Sequence, residues 1–249
     1  MKTEILYGIH PVREALNAGR RKFYEIYVCR EKTNKRVDNL IELAKSADIP
    51  VRHIHRQKLQ SIAGTDTHQG AAAKVSPYPL LSLSEIISDQ AGGDNFSFYL
   101  LIDNIVDPHN LGALLRTALC VGITGVVTPK DRCAEPSPTV SKSSAGALEH
   151  INLARVVNMA TAIKNLKKNN VWIIGLDKNG DRSIYENDFN ENIALVVGGE
   201  KSGIRPLIKK HCDFLSFIPQ TGQVSSLNAS VAGGIAMYEA YRQRQRKDN

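Results

Sequence analysis

Cysteine, methionine and tryptophan are all scarce in this 249-residue chain, at four, three and one respectively. Cys29, Cys120, Cys133 and Cys212 stand far apart. That scatter argues against a disulfide framework or a clustered zinc site and fits reduced, structural thiols. Only His53 and His55 among the seven histidines are close together, with no acid or thiol beside them in sequence, so no metal is expected. No apolar run approaches the roughly 20 residues that a membrane helix needs. The opening MKTEILYGIHPVREAL lacks the apolar core and cleavage site of a signal peptide. These absences give the expectation of a cytoplasmic protein with no membrane partner.

Acidic residues also fall short of basic ones, and the shortfall is local. Residues 1–75 carry 14 Lys/Arg against 8 Asp/Glu, a net of +6, whereas residues 76–249 carry 18 against 17. A basic first third favours a polyanionic partner, and nucleic acid is the natural one. Within it, strand-like FYEIYVC (23–29) and VRHI (51–54) alternate with helical patterns through Pro11–Gly19 and 37–47, which reads as a small α/β domain. Residues 76–96 read as a linker, stiffened by Pro77 and Pro79, with a short helical piece after Ser84 and a break at AGGDN (91–95). From 97 onward, strand-like runs at 98–103, 125–128, 171–176, 193–198 and 214–218 alternate with helical stretches at 110–121, 158–169 and 225–244. That alternation predicts a parallel sheet covered by helices on both faces, with ligands gathering at the strands' carboxyl ends.

Three segments share one grammar of apolar strand, Gly- or Pro-rich turn and polar helix start: DNIVDPHNLGALLRTA (103–118), VVGGEKSGI (196–204) and IPQTGQVSSLNASVAGG (218–234). In the first, Asn110 is placed to cap a helix whose Leu111, Leu114, Leu115, Ala118 and Leu119 face the core, while Arg116 falls off that stripe. In the second, Gly198 and Gly199 leave the backbone bare for a ligand, and Glu200 is a carboxylate at a turn. In the third, Ile218 and Leu227 flank a bend carrying Ser225, Ser226 and Asn228, followed by a helix of small residues. No G-x-G-x-x-G follows a first strand, and Lys201-Ser202 follows Glu200 where a Walker loop needs Gly, so dinucleotide and P-loop chemistry are disfavoured.

In this order and spacing the three segments resemble the signature motifs of the SpoU-type RNA 2′-O-ribose methyltransferases of the SPOUT superfamily, over roughly residues 96–244. More weakly, Gly8-Ile9-His10 and His68-Gln69-Gly70 resemble the ribosomal-protein L30e-like substrate-binding domain of the ribosomal-RNA members. The resemblance implies domains at 1–75 (RNA binding) and 97–249 (a methyltransferase domain with a deep trefoil knot), joined by the 76–96 linker. It implies S-adenosylmethionine as methyl donor and RNA as partner, with a guanosine of large-subunit rRNA favoured over tRNA. It also implies a homodimer. The site it implies comprises Asn110, Arg116, Glu200, Ser226 and Asn228 for catalysis and Gly198, Gly199, Ile218 and Leu227 for the cofactor. Since a guanidinium keeps its proton, Arg116 is expected to bind phosphate or the nascent alkoxide rather than to act as a base. A catalytically silent RNA-binding or ribosome-assembly protein on the same scaffold is the alternative from another class.

Overall fold

The computed structural model describes residues 2–31, 35–89, 96–200, 202–222 and 226–245. The expected break at 91–95, Lys201, Ser225 and the end of the basic tail (246–249) lie outside the described residues. The chain divides into two compact units, the first formed by 1–79 with 136–150, the second by 80–135 with 151–249.

In the first unit, β1 (Glu4–Tyr7), β2 (Phe23–Cys29), β3 (Val51–Ile54) and β4 (Ala71–Val75) form a mixed sheet in the order β1-β4-β2-β3, where only β2 and β3 run parallel. Helices α1 (Ile9–Ala18), α2 (Lys35–Ser46) and α3 (Arg56–Ala63) accompany it. Helix α1 stops where the sequence says it should: Gly19 takes φ 63° and donates its N–H to the Ala15 and Leu16 carbonyls. Leu6, Val12, Ile26, Val28, Leu40 and Val75 build the core. His55 leaves β3 to start α3 and bonds Glu31 (2.7 Å), so His53 and His55 do not share a strand face.

Residues 136–150 group by contact with the first unit. They do not stay with the methyltransferase sequence that surrounds them but pack into the first unit as α6 (Pro138–Ser143) and a 3-10 turn at Ala147–His150. Ser137 caps α6 and Pro138 opens it. The junction is a buried ion pair. Arg21 Nε donates to Glu149 Oε2 (2.6 Å) and Nη2 to Oε1 (3.1 Å), with the side chains 0% and 1% exposed. Ser141 Oγ adds a third bond to Oε1 (2.7 Å), and Arg21 Nη1 reaches Glu4 (2.7 Å).

The second unit carries the expected parallel sheet. β5 (Phe98–Asp103), β6 (Gly125–Pro129), β7 (Leu153–Val156), β8 (Trp172–Leu176), β9 (Arg182–Ser183), β10 (Ile193–Gly198) and β11 (Phe214–Phe217) lie in the order β7-β6-β5-β10-β8-β11-β9, every pairing parallel. One sheet face, through Tyr99, Leu101, Val127, Ile173 and Val196, packs with α4 (Leu83–Ser88), α7 (Met159–Lys168) and α8 (Pro206–Lys209). The other carries α5 (Pro108–Cys120) and α9 (Ala229–Gln245), which pack on each other, with α9 also against β10. Close approach there needs the small residue Gly233, where a Cβ would run into Leu114. Part of the expected linker is thus structured, since α4 starts with a Ser82/Glu85 capping box. Leu119, expected in the core, is 40% exposed at the end of α5.

Candidate active site

The carboxyl ends of β8, β10 and β11, adjacent in the sheet, bound a cavity of about 420 Å³. Gly198, Gly199, Glu200, Ile218, Ser226 and Leu227 all line it, so six of the nine expected site residues converge on one space. Leu176, Val197, Ala229 and Ala232 complete apolar walls, and Asp177, Asn179 and Lys209 form a polar end. Gly198 is required here: a Cβ on it would fall onto the Gly203 carbonyl carbon and the Ile204 nitrogen, both backbone atoms that cannot swing aside. A Cβ on Gly199 would likewise meet the Asn104 carbonyl.

Asn110 and Asn228 do not line the cavity but meet at its edge through Glu200. Asn110 Nδ2 donates to Glu200 Oε1 (3.0 Å), Asn228 Nδ2 donates to the same oxygen, and Asn228 Nδ2 also reaches Asn110 Oδ1 (3.0 Å). Two amides therefore hold one carboxylate oxygen, while Glu200 Oε2 makes no hydrogen bond with a described residue. Asn228 Oδ1 accepts from the Ser230 N–H (2.9 Å) and hydroxyl (2.6 Å), capping α9 and fixing the amide's orientation. Asn110 does not cap α5 as expected. Asp107 does so, accepting from the His109 N–H (2.9 Å), and this frees the Asn110 amide for the site.

Arg116 stands apart. Its exposed guanidinium lies outside the cavity lining and bonds no described residue. It sits six positions beyond Asn110 on α5, a spacing that turns it away from the Asn110 face.

Four residues that shape the site escaped the sequence reading. Asp103, fully buried at the end of β5, accepts from the Arg205 N–H (3.0 Å), Nε (2.8 Å) and Nη2 (2.6 Å), clamping Arg205 to the end of that strand. Asp177 pairs with Lys209 and accepts from the Asn179 N–H (2.9 Å), tying the end of β8 to α8. Burial pushes the Asp177 carboxyl up, but the Lys209 bond, the Asn179 amide and the Lys209 and Lys178 charges outweigh it and hold it below the ordinary value. A carboxylate at a strand's end was the only signal for Asp103 and Asp177. Among the described residues no group of three or more His, Cys, Asp or Glu is placed to hold a metal.

Comparison with known proteins agrees over both units. Residues 97–238 match the family model described as SpoU rRNA methylase, and residues 5–81 the one described as RNA 2′-O ribose methyltransferase substrate binding. The Escherichia coli 23S rRNA (guanosine-2′-O-)-methyltransferase RlmB is 38% identical over 97% of this chain and 99% of its own. A TrmH-family relative, YacO of Bacillus subtilis, whose name covers both tRNA and rRNA, is also 38% identical, over 97% of this chain and 96% of its own. The crystal structure of AviRb from Streptomyces viridochromogenes, solved with AdoMet, superposes with a TM-score of 0.82 at 23% identity over 99% of this chain and 92% of that one. The TrmH/SpoU tRNA-modifying enzyme of A. aeolicus covers only 67% of this chain, with a TM-score of 0.57 at 26% identity over 84% of its own. By its match in both units, the chain belongs to the SpoU rRNA methylase family.

Proposed function

We propose that this protein methylates a ribose 2′-hydroxyl of ribosomal RNA, with S-adenosylmethionine as donor and a guanosine of large-subunit rRNA as the favoured acceptor. One observation carries the reading: the glycine-floored cavity opens at Glu200, whose carboxylate is held by Asn110 and Asn228. The cavity fits the donor. Its volume is in the range of small-ligand sites, apolar walls at Ile218 and Leu227 suit a purine, and bare backbone at Gly198 allows close approach. When bound, the donor supplies an electrophilic methyl group on a sulfonium. The substrate follows the relatives named for rRNA and the substrate-binding match at 5–81.

The chain's own part is to hold the sugar and dispose of its proton. Glu200 Oε2, left open by the two amides, accepts the hydrogen bond of the attacking hydroxyl, and Ser226 lies on the same cavity wall. Fixing the nucleophile in line supplies on the order of 7–11 kcal/mol of the barrier. Arg116, permanently protonated, binds the target phosphate or the developing alkoxide. Because it does not line the cavity of its own chain, we assign it to the cavity of a second copy in a homodimer. We further propose that the segment at 218–234 passes through a loop to form a deep trefoil knot, that the first unit has the L30e-like fold, and that the protein works in the cytoplasm.

Radiolabelled methyl transfer to purified rRNA and tRNA tests the function. Label in rRNA alone is expected; label in tRNA alone moves the substrate, and binding of both ligands without transfer marks a silent scaffold. Arg116→Ala and Arg116→Lys should each lower kcat by about 10²–10³, the loss typical of a transition-state donor. Mixing inactive Arg116→Ala with inactive Glu200→Gln should restore activity if Arg116 serves the partner's cavity. No recovery places it in cis.

A further inference from the structure

The Pro136–His150 segment carries a cation, Lys142, whose ammonium pairs with no carboxylate among the described residues. Lys142 is half-buried on α6, and a Cβ built on Gly8 would lie 2.6 Å from its Nζ and 3.3 Å from Gln69 Oε1. The Gly8-Ile9-His10 and His68-Gln69-Gly70 motifs, far apart in sequence, therefore meet at this ammonium. Their backbone is bent to allow it, with φ of 98° at Gly8, 57° at Gln69 and 94° at Gly70. The Lys142 ammonium makes no hydrogen bond or ion pair with any described residue, and burial lowers its pKa.

The surroundings are electropositive. His10 is pushed low by burial first and then by the Arg13, Arg36 and Lys142 charges, and Glu14 alone opposes them. Glu14 is already engaged. Its Oε1 accepts from Arg13 Nε (3.0 Å) and Nη2 (2.8 Å), and its Oε2 pairs with His150 (3.0 Å). Around His10, three cations thus stand against one carboxylate, which is itself tied to Arg13 and His150. A lysine that merely solvates the surface extends into water, whereas this one is held over Gly8, where any larger residue would displace it.

We propose that Lys142, with His10 and Gln69 beside it, forms a binding site for a backbone phosphate of the RNA substrate. The inference rests on the reading of the protein as an RNA methyltransferase. It assigns RNA contact to a segment whose sequence falls inside the methylase match rather than the substrate-binding match. A lysine meets phosphate as a point charge, and such contacts fix the register of an RNA without reading its bases.

The test is the salt dependence of binding to a large-subunit rRNA fragment, followed by fluorescence anisotropy from 50 to 300 mM KCl, with S-adenosylmethionine affinity measured by calorimetry on the same samples. Lys142→Gln should make the slope of log K against log[salt] shallower by about 0.7–0.9, the share of one phosphate contact. It should also weaken RNA binding about tenfold at low salt and leave cofactor affinity unchanged. Lys142→Arg should keep the slope. An unchanged slope in Lys142→Gln, or the same loss in Lys142→Arg, overturns the proposal. Wild-type protein that binds the cofactor but no RNA would defeat the functional reading instead, so the two failures are distinct.

Discussion

A single oxygen, Glu200 Oε1, organises the candidate site, because two amides from sequence-distant segments are spent on it. The residue types were legible beforehand, but their mutual roles were not. Asn110 looked like a helix cap because an Asn near a helix start usually is one, and only the capping bond to Asp107 shows that its amide is free for Glu200. The buried pair Arg21–Glu149 was illegible for a similar reason: each residue reads as a surface charge until its partner 128 positions away is known. Removing one member of such a pair leaves a charge stranded in the core. Arg21→Ala should therefore destabilise the first unit by about 3–5 kcal/mol, read from hydrogen exchange of the β2 amides. The double change Arg21→Met with Glu149→Leu should be far milder, since neither charge is then orphaned. If the single change proves as mild as the double, Ser141 and solvent suffice for Glu149 and the pair is not what fastens the segment.

At the scale of elements, the central strands were the most readable. β5 and β10 are buried and apolar up to their last residues, Asp103 and Gly198, the signature of a parallel sheet covered on both sides. The two-residue β9 and the half-buried β7 carry too little pattern to stand out. What the strands hold at their ends gives two predictions. Gly198→Ala places a methyl against the Gly203–Ile204 backbone and must push the turn at 202–205 outward, against its clamp at Asp103. S-adenosylmethionine affinity should fall at least about tenfold, about 1.4 kcal/mol, by calorimetry. An unchanged affinity would mean that the turn yields without altering the cavity. The second concerns Asp177, whose carboxyl is held below its ordinary value, near 3.9 when unfolded. Its contribution to stability is complete above that value and is lost as pH falls through the folded one. The thermal midpoint should therefore not vary between pH 5 and 8 on its account. It should drop below about pH 4, with part of that drop missing in Asp177→Asn.

For the whole molecule, the sequence reads as a basic first part and a strand–helix remainder, and it hides the excursion at 136–150. PSPTVSKSSAGALEH is short, small and polar, with no periodicity to show that it belongs elsewhere, and its partners Tyr7, Glu14 and Arg21 are more than a hundred residues away. The consequence is a different outcome for truncation. Deleting residues 1–79 alone removes the Arg21 partner of Glu149 and strips the cover from Val140 and Leu148, both fully buried in the intact chain. That protein should aggregate, because an uncompensated carboxylate and bare apolar surface remain on a segment with nothing to pack on. Removing residues 136–150 as well should cure it. Glu135 Oε1 lies 2.9 Å from Arg155 Nη1, so a Gly/Ser link long enough to run back along the four residues from 155 to 151 is used to rejoin 135 to 151. The doubly trimmed second unit should run as a defined species in size-exclusion chromatography and keep S-adenosylmethionine affinity within about twofold, since every cavity residue is retained. It should lose most of its salt-dependent affinity for rRNA along with the basic surface. A soluble, well-behaved 80–249 chain, or a doubly trimmed one that loses the cofactor, would mean that the two units are not separable along the boundary the structure draws.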